Sequence, residues 1–181
     1  MKLKIGEHFF SYERPLVMGI LNLTPDSFYD GGSHNNTDDV LRHCEKMLTD
    51  EADIIDIGAF SSRPGSEIIS VEEENSRLLP YLIEIRKRFP EAIISIDTFR
   101  KDVAKNALEN GADIINDISG GLFDNEMLSY IGENHVPYIM MHCGGSIESL
   151  HTNHIKENAC EIVKSFFEKQ IEFLDNYGEQ Q

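Results

Sequence analysis

An internal repeat constrains the fold more than any other feature of the chain. The segment Glu51-Ala-Asp-Ile-Ile-Asp-Ile57 returns as Gly111-Ala-Asp-Ile-Ile-Asn-Asp117, about 60 residues further on. That interval is two units of the ~30 residues that a strand and its covering helix occupy, so the chain reads as iterated βα units. Five short, mainly apolar runs that do not alternate, at 16–21, 54–57, 93–96, 114–115 and 136–141, suit parallel strands covered on both faces. Between them Val40, Leu41, Cys44, Met47 and Leu48 recur at helical spacing, as do Leu78, Leu82, Ile85 and Phe89. Ser70 with Glu73 has the form of a capping box, and Gly111 stands where a helix C′ residue belongs. Pro80 falls about two turns into its helix and is expected to kink it or remove a hydrogen bond. Residues 155–177, with Ala159, Ile162, Val163, Phe166 and Phe167, read as one long amphipathic helix.

Length and charge narrow the classes. At 181 residues and 40% hydrophobic, one domain spanning 1–181 with a substantial core is expected. The formal charge of −16, from 32 acidic against 16 basic residues, repels nucleic acid and anionic membrane. An anionic substrate therefore needs local cations or a metal. No window of about 18 apolar residues occurs and the opening lacks an export signal's apolar region, so a cytoplasmic protein is expected. Cys44, Cys143 and Cys160 form no CxxC pair and are expected as reduced, mostly buried thiols.

A polar residue follows or closes each apolar run: Asn22, Asp56, Asp97, Asn116 with Asp117, and His142. In a (β/α) barrel those strand ends share one mouth, where chemistry is built. Singly, such residues cap turns; five in register point to a site. Met18-Gly-Ile-Leu-Asn-Leu-Thr-Pro-Asp-Ser-Phe-Tyr-Asp-Gly-Gly32 leaves the first strand for a long loop. Asn22 offers the uncharged oxygen that Mg²⁺ accepts beside phosphates and water. Phe28 and Tyr29 are candidates to cover an aromatic substrate. After the second strand, Ser61, Ser62 and Arg63 lie between glycines, where a guanidinium suits a diphosphate and Pro64 fixes the chain beyond. Asp97 and Asn116 are complementary to a ring bearing amide and amino edges.

Those three stretches together resemble the signature blocks of the dihydropteroate synthase family, over about residues 16–141. The resemblance implies an α/β fold of the (β/α)8 TIM-barrel type, here incomplete with about five strands. It implies Mg²⁺ as cofactor and transfer between 7,8-dihydropterin-6-ylmethyl diphosphate and p-aminobenzoate, with diphosphate released. By position it implies Asn22 as metal ligand and Ser62 as a diphosphate-ester contact. Asp97 and Asn116 become pterin contacts, and Arg63 lies near the diphosphate. Phe28 and Pro64 fall in the p-aminobenzoate pocket. Asp97, Asn116 and Arg63 are the candidate catalytic residues, and a homodimer is the implied assembly.

The chain also departs from the family pattern. Ser62 replaces a usual Thr, Ala59-Phe60 replaces a pair that often begins with Gly, and His142-Cys143-Gly144-Gly145 stands where His-Met-Gln-Gly is common. His142 is expected to shape the pocket floor. An eight-stranded barrel normally needs around 250 residues, so roughly three βα units are without a counterpart. The sequence reading is a fragment or diverged remnant, with one barrel side open. A catalytically inactive pterin binder and a pterin-binding methyltransferase domain are the rival readings.

Overall fold

The computed structural model describes residues 2–5, 8–11, 14–23, 35–60, 68–145 and 158–178. A short antiparallel hairpin opens it, β1 (Lys2–Ile5) against β2 (His8–Ser11). Strands and helices then alternate: β3 (Met18–Asn22), α1 (Asn35–Thr49), β4 (Ile54–Gly58), α2 (Val71–Arg88), β5 (Ile93–Asp97), α3 (Lys101–Glu109), β6 (Ile114–Asp117), α4 (Met127–Glu133), β7 (Tyr138–Met140) and α5 (Ala159–Gly178). The five later strands are parallel and lie in the order β3-β4-β5-β6-β7. A doubly wound sheet reverses direction at a switch point. This one never reverses, which makes it a five-stranded arc of an incomplete (β/α) barrel.

The period of two along each strand divides the arc into two faces. Leu21, Ile55, Ile57, Ile94, Ile96 and Ile115 face the helices and are almost wholly buried. They meet Val40 and Cys44 of α1, Leu78, Leu82 and Ile85 of α2, Val103 and Ala107 of α3, and Met127 and Ile131 of α4. At about 1.5–3 kcal/mol for each large apolar side chain buried, this layer dominates stability. On the inner face Ile54, Ile93 and Ile114 form a second cluster with Ile5. The hairpin, which the apolar runs did not announce, thus closes the N-terminal end of the arc. Ile20, at the inner centre of β3, stays 63% exposed because no strand among the described residues lies beyond it.

Both copies of the repeat build the same clip. Ala52 N donates to Met47 O (2.9 Å) and Ala112 N to Ala107 O (3.0 Å), after residues at positive φ, Glu51 (69°) and Gly111 (101°). Asp53 exchanges two bonds with Val17 (N to O 2.8 Å; Oδ2 accepting from Val17 N, 2.8 Å). Asp113 does the same with Ile94 (2.8 and 2.9 Å). Arg14 binds Asp53 and Arg86 binds Asp113. These carboxylates stitch neighbouring strands together at their N-terminal ends.

Other expectations fare unevenly. Ser70 caps α2, accepting from Glu73 N at 3.2 Å. The helix runs unbroken through Pro80, because Leu78, Leu82 and Ile85 anchor it on both sides of an exposed proline ring. The strand expected over 136–141 is only three residues long, and α5 starts at Ala159. All three thiols are free, but only Cys44 and Cys143 are buried. Cys160 is exposed on α5. Burial pushes the Cys44 thiol up to about 11, leaving it unreactive.

Candidate active site

One row of residues crosses the inner face at the C-terminal end of the sheet. Asn22 pairs in register with Gly58, Gly58 with Asp97, Asp97 with Asn116, and Asn116 with Ile139. Adjacent strands are about 4.8 Å apart, so Asp97 and Asn116 are immediate neighbours and Asn22 is two intervals away. Gly58 keeps the middle of the row open. A Cβ there would lie 3.4 Å from Asp97 Oδ2 and 3.8 Å from Asn22 Oδ1. The next row down reads Ile20, Asp56, Ser95, Ile114. Asn116 Nδ2 reaches across β5 and donates to Asp56 Oδ2 at 3.1 Å.

Among the described residues the carboxylates of this row and the next have no cation beside them. Burial pushes the Asp97 carboxyl up to about 7, and the nearby charges of Asp56, Glu74 and Asp117 add to the effect. Burial also raises Asp56, although Asn116 and the Ser95 hydroxyl ease its charge. Among the described residues that Ser95 Oγ has no hydrogen-bond partner within geometric limits, and neither does Asp56 Oδ1. Buried polar atoms without partners, at the mouth of a barrel, are suited to receive ligand donors or ordered water.

Behind the row a buried ion pair fixes the rim. Glu74, 1% exposed at the start of α2, accepts from Thr98 Oγ1 (2.8 Å) and from the Arg100 guanidinium. Arg100 also donates to Ile69 O (2.6 Å) and lies over the Phe99 ring, 4.7 Å from its centroid. Phe99 in turn meets Phe60 and Phe123 edge-on, both at 5.5 Å. The segments leaving β4, β5 and β6 are thereby locked to one another.

A family model described as pterin binding enzyme matches residues 18–181. The chain belongs to the pterin binding enzyme family. The dihydropteroate synthase of Synechocystis sp. is 38% identical over 177 residues, covering 97% of this chain and 61% of that protein. Among solved structures, Xanthomonas albilineans dihydropteroate synthase with 4-aminobenzoic acid superposes with a TM-score of 0.83 at 30% identity, covering 99% of this chain and 62% of that one. Burkholderia cenocepacia dihydropteroate synthase complexed with 7,8-dihydropteroate gives 0.81 at 31% identity, covering 98% and 59%. The chain spans about three fifths of the length of these pterin binding relatives.

Of the residues singled out in the sequence, Asn22, Asp97 and Asn116 come together in the row just described. Phe28, Tyr29, Ser62, Arg63 and Pro64 lie outside the described residues. The ring of His142 packs edge-on against Phe166 of α5, 4.9 Å between centroids. Asp117 turns away from the row, accepting from Ser119 N, Gly121 N and the Tyr138 hydroxyl to shape the loop after β6. Asp56 was visible as a strand-ending carboxylate but had no role assigned, and Gly58 and Ser95 were missed. Strand periodicity was the available signal: Asp56 stands two residues before Gly58, hence on the same face.

Proposed function

We propose that this chain carries the pterin side of a dihydropteroate synthase site. The reaction joins p-aminobenzoate to 7,8-dihydropterin-6-ylmethyl diphosphate. The amine nitrogen attacks the exocyclic methylene carbon, the bond from that carbon to the diphosphate oxygen breaks, and the nitrogen loses a proton to solvent. The observation behind the reading is the row Asn22, Gly58, Asp97, Asn116, with a glycine where the ring needs room. Asp97 accepts ring N–H donors, and the Asn116 amide both gives and accepts. Together they hold the ring so that its methylene faces the second substrate.

Asn22 is exposed at its strand end, beside the gap at Gly58, and its uncharged oxygen fits a cation that takes few protein ligands. When bound, Mg²⁺ supplies positive charge for the departing diphosphate. Arg63 and Ser62 would contribute at the diphosphate, and Phe28 and Pro64 at the p-aminobenzoate. The same reading carries a cytoplasmic location, no nucleic-acid or membrane partner, and a homodimer. The charge of −16 supports the absence of nucleic acid, and no helix among the described residues is long and apolar enough to cross a membrane.

The test is diphosphate release from the pterin ester with p-aminobenzoate and Mg²⁺, beside calorimetry with the pterin alone. Turnover supports the full reading. Affinity without release would leave the pterin-binding part of the reading standing and remove its catalytic part. No pterin affinity would refute both.

A further inference from the structure

An asparagine amide presents an acceptor at one end and two donors at the other, and turning it over exchanges the signs it shows to a ligand. Asn116 is held in one sense. Its Nδ2 donates to Asp56 Oδ2 at 3.1 Å, and an ionised carboxylate accepts only, so it takes the NH2 end and leaves Oδ1 facing elsewhere. The bond runs from β6 to β4 over the intervening β5, where the small Ser95 leaves the way open.

Asp56 is a poor choice for stability. It is 5% exposed, and among the described residues it has no cationic partner. Its Oδ1 has no hydrogen bond, although Asp53, three residues earlier, has both a guanidinium and a backbone N–H. A carboxylate left buried on those terms costs the fold free energy. What it does contribute is the fixed direction of one amide at the mouth.

We propose that Asp56 is a positioning residue: it holds the Asn116 amide with Oδ1 toward the barrel lumen, so that this amide accepts from donor hydrogens on the pterin ring. The proposal rests on the pterin-binding reading above for its ligand, but the orientation itself is a property of the protein alone. Asp56 need not touch the ring. Its effect passes through Asn116, beside Asp97, and the two acceptors then stand side by side for a ring edge that carries adjacent N–H groups.

The test compares the full chain with Asp56→Asn by two readouts. The first is the side-chain amide pair of Asn116 in a ¹⁵N correlation spectrum, assigned through Asn116→Asp. In the parent protein one amide proton is expected to be shifted downfield and slow to exchange; that signature weakens in Asp56→Asn, whose amide oxygen still accepts, and disappears in Asp56→Ala, which offers no acceptor. The second is calorimetry with 6-hydroxymethyl-7,8-dihydropterin, in which Asp56→Asn is expected to weaken binding about tenfold or more without lowering the thermal midpoint. Should the substitution itself lower that midpoint by several degrees, Asp56→Ser, which removes the charge and leaves space for water, carries the same comparison. An amide pair unchanged in Asp56→Ala overturns the proposal whether or not the pterin binds. Parent binding matched by Asp56→Asn also overturns it and leaves the pterin reading standing. Absence of binding by the parent refutes the pterin reading, and the spectrum still decides the orientation.

Discussion

The two ends of the sheet treat the same side chain in opposite ways. At the N-terminal ends of the strands, Asp53 and Asp113 each hold a guanidinium and a backbone N–H, and both sit at the protein–water boundary. The Arg14 hydrogen bond keeps the Asp53 carboxyl below the usual range. At the C-terminal ends, Asp56 and Asp97 have no cation among the described residues, are more deeply enclosed, and are pushed upward. The first pair pulls strands together. The second pair opposes folding and persists only where the surrounding structure compels it, which is the pattern expected where a binding site is stored in a stable frame.

Breaking the stabilising end should have the largest effect. Asp113→Ala takes the carboxylate from a half-buried guanidinium, which keeps only the carbonyls of Gly111, Pro90 and Ala92 as acceptors, and loses a clip between β5 and β6. A loss toward the lower end of about 3–5 kcal/mol is expected in urea unfolding, with pterin affinity of the remaining folded protein unchanged. Asp97→Asn should do the reverse. A carboxyl whose folded value is about 7 against an ordinary 3.8 costs nothing below pH 4, and the cost grows as pH rises to 7. The substitution is therefore expected to stabilise the protein at pH 8, by about 1.4 kcal/mol for each tenfold weakening of the acid that burial imposes, and to leave it unaltered at pH 4. It should also abolish most pterin affinity. A loss of stability at pH 8 would show that Asp97 is a structural residue like Asp113.

A third effect is smaller. If the ring donates to the ionised Asp97 carboxylate, affinity for the dihydropterin should rise between pH 6 and pH 8, by up to about tenfold since the ionised fraction grows through 7. Calorimetry across that range measures it. A fall of similar size would mean that the ligand meets the neutral acid, and a flat profile that its binding does not depend on the charge of Asp97.

The frame was legible in the sequence, because apolar runs and the repeated Ala-Asp-Ile-Ile report burial directly. Residues such as Ile55, Ile94 and Ile115 have no choice of surroundings. The row at the mouth was legible through strand ends, which fixed Asn22, Asp97 and Asn116 on one level. What escaped was whatever depends on contacts between distant segments. The hairpin has strands of four residues and is stabilised through Ile5 against Ile54, Ile93 and Ile114. His142 looked like another strand-ending polar residue, and its ring contact is with Phe166 on α5, a distant segment. The role of Asp56 depends on a bond to a residue 60 positions away. No local pattern encodes it.

The finest distinction lies within the stabilising end itself. Asp53 and Asp113 are the same residue of the repeat and make the same two backbone bonds, but their guanidinium partners differ: Arg14 is 60% exposed and Arg86 is 23% exposed. Water and salt screen the first pair more. Asp53→Ala should thus destabilise less than Asp113→Ala. Because the Asp53 carboxyl is held low by Arg14, its contribution is present above the ordinary carboxylate range and is lost as pH falls through the lowered value. Raising sodium chloride to about 1 M, where the Debye length is about 3 Å, should shrink the Asp53 effect and leave that of Asp113 largely intact. Equal losses at both positions, insensitive to salt, would locate the stabilisation in the shared backbone bonds, with the arginines incidental to it.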